Sequence, residues 1–226
     1  MAETANRSRP LSPLTAIVDA EIASRAGWTP RDLARACLDG GARLLQVRAK
    51  HASGAALLDL AAAITPLAHA AGAVVIVNDR ADIARLAGAD GVHVGQDDLA
   101  PALVRRLVGG EAMVGRSTHT PAQIVAACAE PVSYVAVGPV FATGTKATGY
   151  DALGLERVRA AADAVRTRRL PLVAIGGITL DTAASVIAAG AASVAVISDL
   201  LSTGNPARRV AEYLLRLTMT EPMANG

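Results

Sequence analysis

The sequence predicts an α/β protein built as a single (β/α)8 barrel of the TIM type. Three observations predict it. Short apolar runs alternate with Ala-rich or amphipathic segments eight times along 226 residues, close to the roughly 250 residues typical of that fold. The runs are continuous rather than alternating, as strands buried on both faces should be. Polar residues gather where the runs end, whereas the opposite ends read Gly40-Gly41, Gly109-Gly110 and Ala189-Gly190, which is plain turn chemistry. An open doubly wound sheet fits the alternation too, but it wants fewer strands, and no GxGxxG follows the first run.

Element by element, PLTAIVD is a first strand ending at Asp19. Thr29-Pro30 opens a helix, Thr as cap and Pro in the first turn, with Leu33, Ala36 and Cys37 on one face. ARLLQV is the second strand, followed by Arg48 and Lys50, and Ser53 starts a long helix containing Pro66. VVIV ends in Asn78-Asp79-Arg80, then ADIARLAGA is helical, and GVHV ends in Gly95-Gln96-Asp97-Asp98. A helix is expected from Asp98 or Leu99, with Pro101 near its first turn. AMVG is the fifth strand, before Arg116-Ser117-Thr118-His119, and Thr120-Pro121 repeats the helix opening of Thr29-Pro30. SYVAVG is the sixth strand, followed by the long loop PVFATGTKATGYDALG and a helix from about Leu155 to Arg168. PLVAIGG and SVAVIS are strands seven and eight, and an amphipathic helix from Pro206 to Leu217 closes the barrel. The domain is expected over residues 13–218, with polar tails at 1–12, read as disordered, and 219–226.

Hydrophobic residues make up 52% but aromatics only 2%, so Ala, Val, Leu and Ile must build the core. The net charge of +2 and the lack of Lys/Arg runs do not imply nucleic acid as a partner. No apolar stretch reaches the roughly 18 residues of a membrane helix, and the polar N-terminus lacks a signal-peptide core. Cys37 and Cys128 have neither metal-ligand spacing nor a disulfide framework and read as small buried apolar residues in a cytoplasmic protein. Small-molecule substrates are the expected partners, and a homo-oligomer is left open.

Chemistry in a barrel belongs at the C-terminal strand ends. In Gln46-x-Arg48-x-Lys50, a period of two aims three side chains one way, making a cationic clamp suited to phosphate; a solvated strand edge is the alternative. Lys146, with Thr143 and Thr145, stands on the loop after strand six, which reads as a mobile lid. That loop looks superficially like a nucleotide P-loop, but Tyr150 stands where lysine would have to be. Asp79 and Asp98, on adjacent strand ends, suit a hard cation such as Mg²⁺ shared with substrate phosphate; helix capping is their alternative. Gly176-Gly177 and Ile197-Ser198 end strands seven and eight, where barrels often hold phosphate, so a second phosphate site is expected there. His93, within a strand, reads as a satisfied core histidine, and no base–nucleophile pair stands out.

The ordered set QVRAK, VNDRADIARLAGADGVHVGQDDL, GRSTHT, YVAVGPVFATGTK, VAIGGIT and AVISDL resembles the thiamine-phosphate synthase (thiamine-phosphate pyrophosphorylase) family from about Leu44 to Leu200. Each motif alone is weak; their order is specific. The resemblance implies a barrel transferase of thiamine biosynthesis. It would join 4-amino-5-hydroxymethyl-2-methylpyrimidine diphosphate to 4-methyl-5-(2-phosphoethyl)thiazole in a dissociative substitution that releases pyrophosphate. It implies Mg²⁺ on Asp79 and Asp98. It implies that Gln46, Arg48, Lys50, Asn78, Ser117 and Lys146 hold the pyrimidine diphosphate, with Arg48, Lys50, Ser117 and Lys146 taking catalytic roles. The thiazole phosphate would lie on Thr143, Thr145, Gly176-Gly177 and Ile197-Ser198.

Departures from the family pattern are Thr15 and Val18, where the first strand usually carries an aromatic, and Arg116, where a small apolar residue is common. The segment 147–154 is also Gly-richer than usual. A thiazole tautomerase on the same barrel, or a non-catalytic ligand-binding relative, is the alternative. Neither would need Asp79 and Asp98 together with Arg48, Lys50 and Lys146.

Overall fold

The computed structural model describes residues 11–143 and 149–218. Eight parallel strands close into one barrel in sequence order. They are β1 (Leu14–Asp19), β2 (Leu44–Arg48), β3 (Val74–Asn78), β4 (Gly91–Val94), β5 (Met113–Thr118), β6 (Tyr134–Val137), β7 (Leu172–Ile175) and β8 (Ser193–Val196). β1 pairs with both β2 and β8, so no sheet edge is left. Around them lie α1 (Ala20–Arg25), α2 (Pro30–Asp39), α3 (Gly54–Ala70), α4 (Ala81–Leu86), α5 (Pro101–Val108), α6 (Pro121–Ala127), α7 (Gly154–Arg166), α8 (Leu180–Ala188) and α9 (Pro206–Thr218). The predicted barrel is therefore present. The predicted tails lie outside the described residues, except that Leu11, expected in the tail, packs on the barrel interior.

Alternate strand residues serve two cores. Outward residues such as Val18, Val47, Val77, Val92 and Val135 pack under the helices. Inward residues form a smaller plug of Ile17, Tyr134, Ala136, Val173 and Ala195. Apart from inward Thr15, Gln46, His93 and Ser193 the buried strand residues are mostly apolar, which is why the strands read as unbroken runs.

Helix starts follow local chemistry. Thr29, Ser53 and Thr120 accept hydrogen bonds from the third residue onward, as the sequence predicts, and Gln123 completes a capping box with Thr120. Two expectations need correction. α1 is an extra short helix, capped by Asp19, whose side chain accepts from the amides of Glu21 and Ile22. α5 begins at Pro101 behind Ala100 rather than at Asp98 or Leu99. Its Asp98 is drawn away, because the carboxylate accepts the Gly95 amide at 2.7 Å.

Candidate active site

A cavity of about 450 Å³ opens at the C-terminal ends of the strands. Of the residues expected to bind substrate, Gln46, Arg48, Asn78, Ser117, Thr143, Gly176, Gly177, Ile197 and Ser198 line it. Thr145 and Lys146 lie outside the described residues. The register explains the grouping: Gln46, Asn78 and Ser117 are inward residues of β2, β3 and β5, with Asn78 level with His93 of β4 and His93 level with Gly115 of β5.

The cationic row is not one clamp. β2 ends at Arg48, so the period of two does not carry to Lys50. Arg48 is held by an ion pair with buried Asp19. Lys50 instead turns to Asp79, with Nζ 2.5 Å from Oδ2. That bond, more than any other influence, holds the Lys50 ammonium above its ordinary pKa.

Asp79 and Asp98 meet, and neither caps a helix. The cap position of α4 is Arg80 and that of α5 is Ala100, with no side-chain capping bond at either. The capping alternative therefore fails. Asp79 adopts a left-handed backbone, φ 64°, in which its amide donates to the His93 carbonyl at 2.7 Å. Burial first, and the neighbouring Asp79 carboxylate with it, raises the Asp98 pKa, while the Gly95 amide opposes the rise. A raised carboxyl beside a second carboxylate is a donor set that a hard cation relieves. Among the described residues no group of three or more His, Cys, Asp or Glu side chains has metal-binding geometry, so a cation on this pair would need further oxygens, such as those of a substrate.

His93 is buried with both ring nitrogens engaged, as a satisfied core histidine should be. Its Nδ1 lies 2.9 Å from the Tyr134 hydroxyl and Nε2 lies 2.7 Å from Ser117 Oγ. It also lines the cavity, directly beneath Ser117. Gly115 makes this possible, because a Cβ there would collide with the Tyr134 ring and reach within 2.5 Å of His93 Nδ1. Burial drives the Tyr134 phenol pKa well upward, so it stays protonated. Sequence reasoning missed Tyr134, whose inward aim depends on barrel register, while Thr15, singled out as a departure from the family pattern, also lines the cavity. His119, directly after β5, also lines the cavity, with Nδ1 2.6 Å from the Gly138 carbonyl and its ring stacked on Tyr150.

The far side of the cavity is backbone-rich. Gly176 and Gly177 have φ of 100° and 65°, and any Cβ would strike Pro139 or the Ala142 carbonyl at 2.6 Å. Glycine is thus required both by conformation and by the close approach of the β6–α7 loop. Ser198 opens a short 3-10 helix, Ser198–Leu201, directly after β8. Arg116 points outward from β5, and its Nη1 donates to the Gly95 carbonyl at 2.5 Å.

Comparison with known proteins agrees with this geometry. A thiamine-phosphate synthase from Chlorobium luteolum is 41% identical over 217 residues, covering 96% of this chain and 98% of that protein. One from Koribacter versatilis is 44% identical over 213 residues, covering 90% and 95%. The fold is shared with a thiamine phosphate pyrophosphorylase from Pyrococcus furiosus, with a TM-score of 0.83 at 24% identity over 93% of this chain and 98% of that one. The family model described as thiamine monophosphate synthase matches residues 14–200, and the chain belongs to that family.

Proposed function

We infer that this chain is a thiamine-phosphate synthase, joining the pyrimidine diphosphate to the thiazole phosphate with release of pyrophosphate. The observation that carries the reading is one cavity with two differently built ends. Gln46, Arg48, Asn78 and Ser117 line one, beside the Asp79/Asp98 pair, and Gly176-Gly177 with Ile197-Ser198 line the other. We assign the diphosphate to the first end, with Lys50 and Lys146, and the thiazole phosphate to the second, with Thr143 and Thr145. Asp79 and Asp98 would hold Mg²⁺, which supplies positive charge against the diphosphate oxygens. Free Cys37 and Cys128 support a cytoplasmic setting as part of the same proposal.

In this reading the bond between the pyrimidine methylene and the diphosphate oxygen breaks, and the thiazole nitrogen then bonds to that carbon with its own lone pair. Negative charge grows on the departing oxygen, so Arg48, Lys50, Lys146 and the Ser117 hydroxyl stabilise the transition state more than the ground state. Asp19 holds the Arg48 guanidinium in place. His93 orients the Ser117 hydroxyl. No general base is required at the nitrogen. Pyrophosphate release on mixing protein with both phosphorylated substrates tests the reading. Release that needs both substrates and Mg²⁺, with equal thiamine phosphate, is expected; thiazole phosphate binding without release would sink it.

A further inference from the structure

A charged cluster ties the second end of the cavity to the last helix. Asp199 follows Ser198 and lines the same cavity. Its carboxylate meets four donors, three of them on α9. The Leu180 amide, first in α8, donates to Oδ2 at 3.2 Å. Arg209 of α9 donates through Nε to Oδ2 and through Nη2 to Oδ1, each at 3.1 Å. The hydroxyl of fully buried Tyr213 donates to Oδ2 at 2.5 Å. The Arg209 and Asp199 side chains are only 16% and 13% exposed.

An acid at this place demands an explanation. The end of β8 and the start of α8 are where a barrel offers backbone amides to phosphate, and a bare carboxylate there would repel an anion. Arg209 reaches Asp199 from behind as a two-toothed fork, the geometry in which arginine best cancels a carboxylate. Arg209 does not itself line the cavity. Its effect on a ligand therefore has to pass through Asp199.

We propose that Arg209 and Tyr213 are positioning residues for the phosphate monoester of the thiazole: they hold Asp199 toward α9 and cancel its charge, leaving the Ser198 end of the cavity open to an anion. The proposal rests on the thiazole phosphate binding at that end. It makes α9, none of whose residues lines the cavity, a determinant of affinity for one substrate and not the other.

The test is calorimetric affinity for the thiazole phosphate, with steady-state kinetics for both substrates, on the full chain. Arg209→Met keeps the packing stem and removes the charge. It should weaken thiazole phosphate binding on the order of tenfold, as one uncancelled charge at a partly solvated rim would, while leaving the KM for the pyrimidine diphosphate nearly unchanged. Adding Asp199→Asn to that variant should restore most of the lost affinity, which a purely structural role for the pair would not allow. Unchanged affinity in Arg209→Met, or a loss that Asp199→Asn does not recover, overturns the proposal. Should Arg209→Met fail to fold, Asp199→Asn alone decides: binding equal to or tighter than wild type is expected, and weaker binding overturns it. Ser198→Asp separates the two levels of inference. If it leaves thiazole phosphate affinity intact, the phosphate does not bind at this end and the site assignment itself fails, taking the proposal with it. If it weakens binding while Arg209→Met does not, only the role of Arg209 fails.

Discussion

Lys50 Nζ stands 2.5 Å from Asp79 Oδ2, and Asp79 in turn adjoins Asp98. A cation proposed for the diphosphate and an acid proposed for the metal are thus one linked cluster. The Lys50 side chain is 47% exposed, so the pair adds little stability in water, and the proposed mechanism has Lys50 exchange Asp79 for the diphosphate.

Removing either acid should therefore disable metal use without unfolding the barrel. Asp79→Asn and Asp98→Asn are each expected to lower turnover by about 10²-fold or more, the usual scale for losing one charge-stabilising group. Mg²⁺ should raise the melting temperature of the wild type, and both variants should lose that rise. Chelation should mimic them reversibly. A wild-type Mg²⁺ response in both variants would remove the metal assignment.

Lys146→Ala should lower turnover by about 10²-fold, because its charge is proposed to act on the departing pyrophosphate. Its melting temperature should match wild type. Unaltered kcat would end the proposed role of the β6–α7 loop lysine.

His93→Ala leaves the Tyr134 and Ser117 hydroxyls without their shared partner. A stability loss of about 1–3 kcal/mol follows from the orphaned buried Tyr134 hydroxyl, read by denaturant unfolding. Gly115→Ala should cost a similar ~1–3 kcal/mol by overpacking the same spot. Combined, the two should be less than additive, since removing the imidazole frees part of the space the methyl needs. Strict additivity would show that the contact between these residues is not what matters.

Burial pushes the Cys37 thiol up to about 12, and Cys128, at the end of α6, is raised less. Unfolding returns Cys37 to the ordinary thiol range. The unfolded chain therefore loses that proton first, and stability should fall as pH rises from the usual thiol value toward about 12. Alkylation at mildly alkaline pH should label Cys128 alone and reach Cys37 only on unfolding, as mass spectrometry of the labelled chain would reveal. Cys37→Ala should flatten part of the alkaline stability loss.

Much of the site is legible along the chain. Gln46, Asn78, Ser117, Gly176, Gly177 and Ser198 each end an apolar run, and the fold brings all six to one cavity. Less legible was the fate of charged side chains. Arg48 pairs with Asp19, and Lys50 with Asp79, each 29 residues away, and nothing in a local pattern names such partners. Helix capping by Asp79 and Asp98 was locally reasonable. It lost to the Gly95 amide and the left-handed turn at Asp79, both set by how strand ends meet.

The sequence by itself determined the eight strand–helix units, their order and the rim that carries the chemistry, because strand length, caps and turn glycines are local properties. Only the tertiary structure decided which half of each apolar run faces inward. Both faces of these strands are buried, so hydrophobicity carries no parity. Closing β8 onto β1 sets it, and with it the meeting of His93, Tyr134 and Ser117 and the turning of Asp199 toward Arg209.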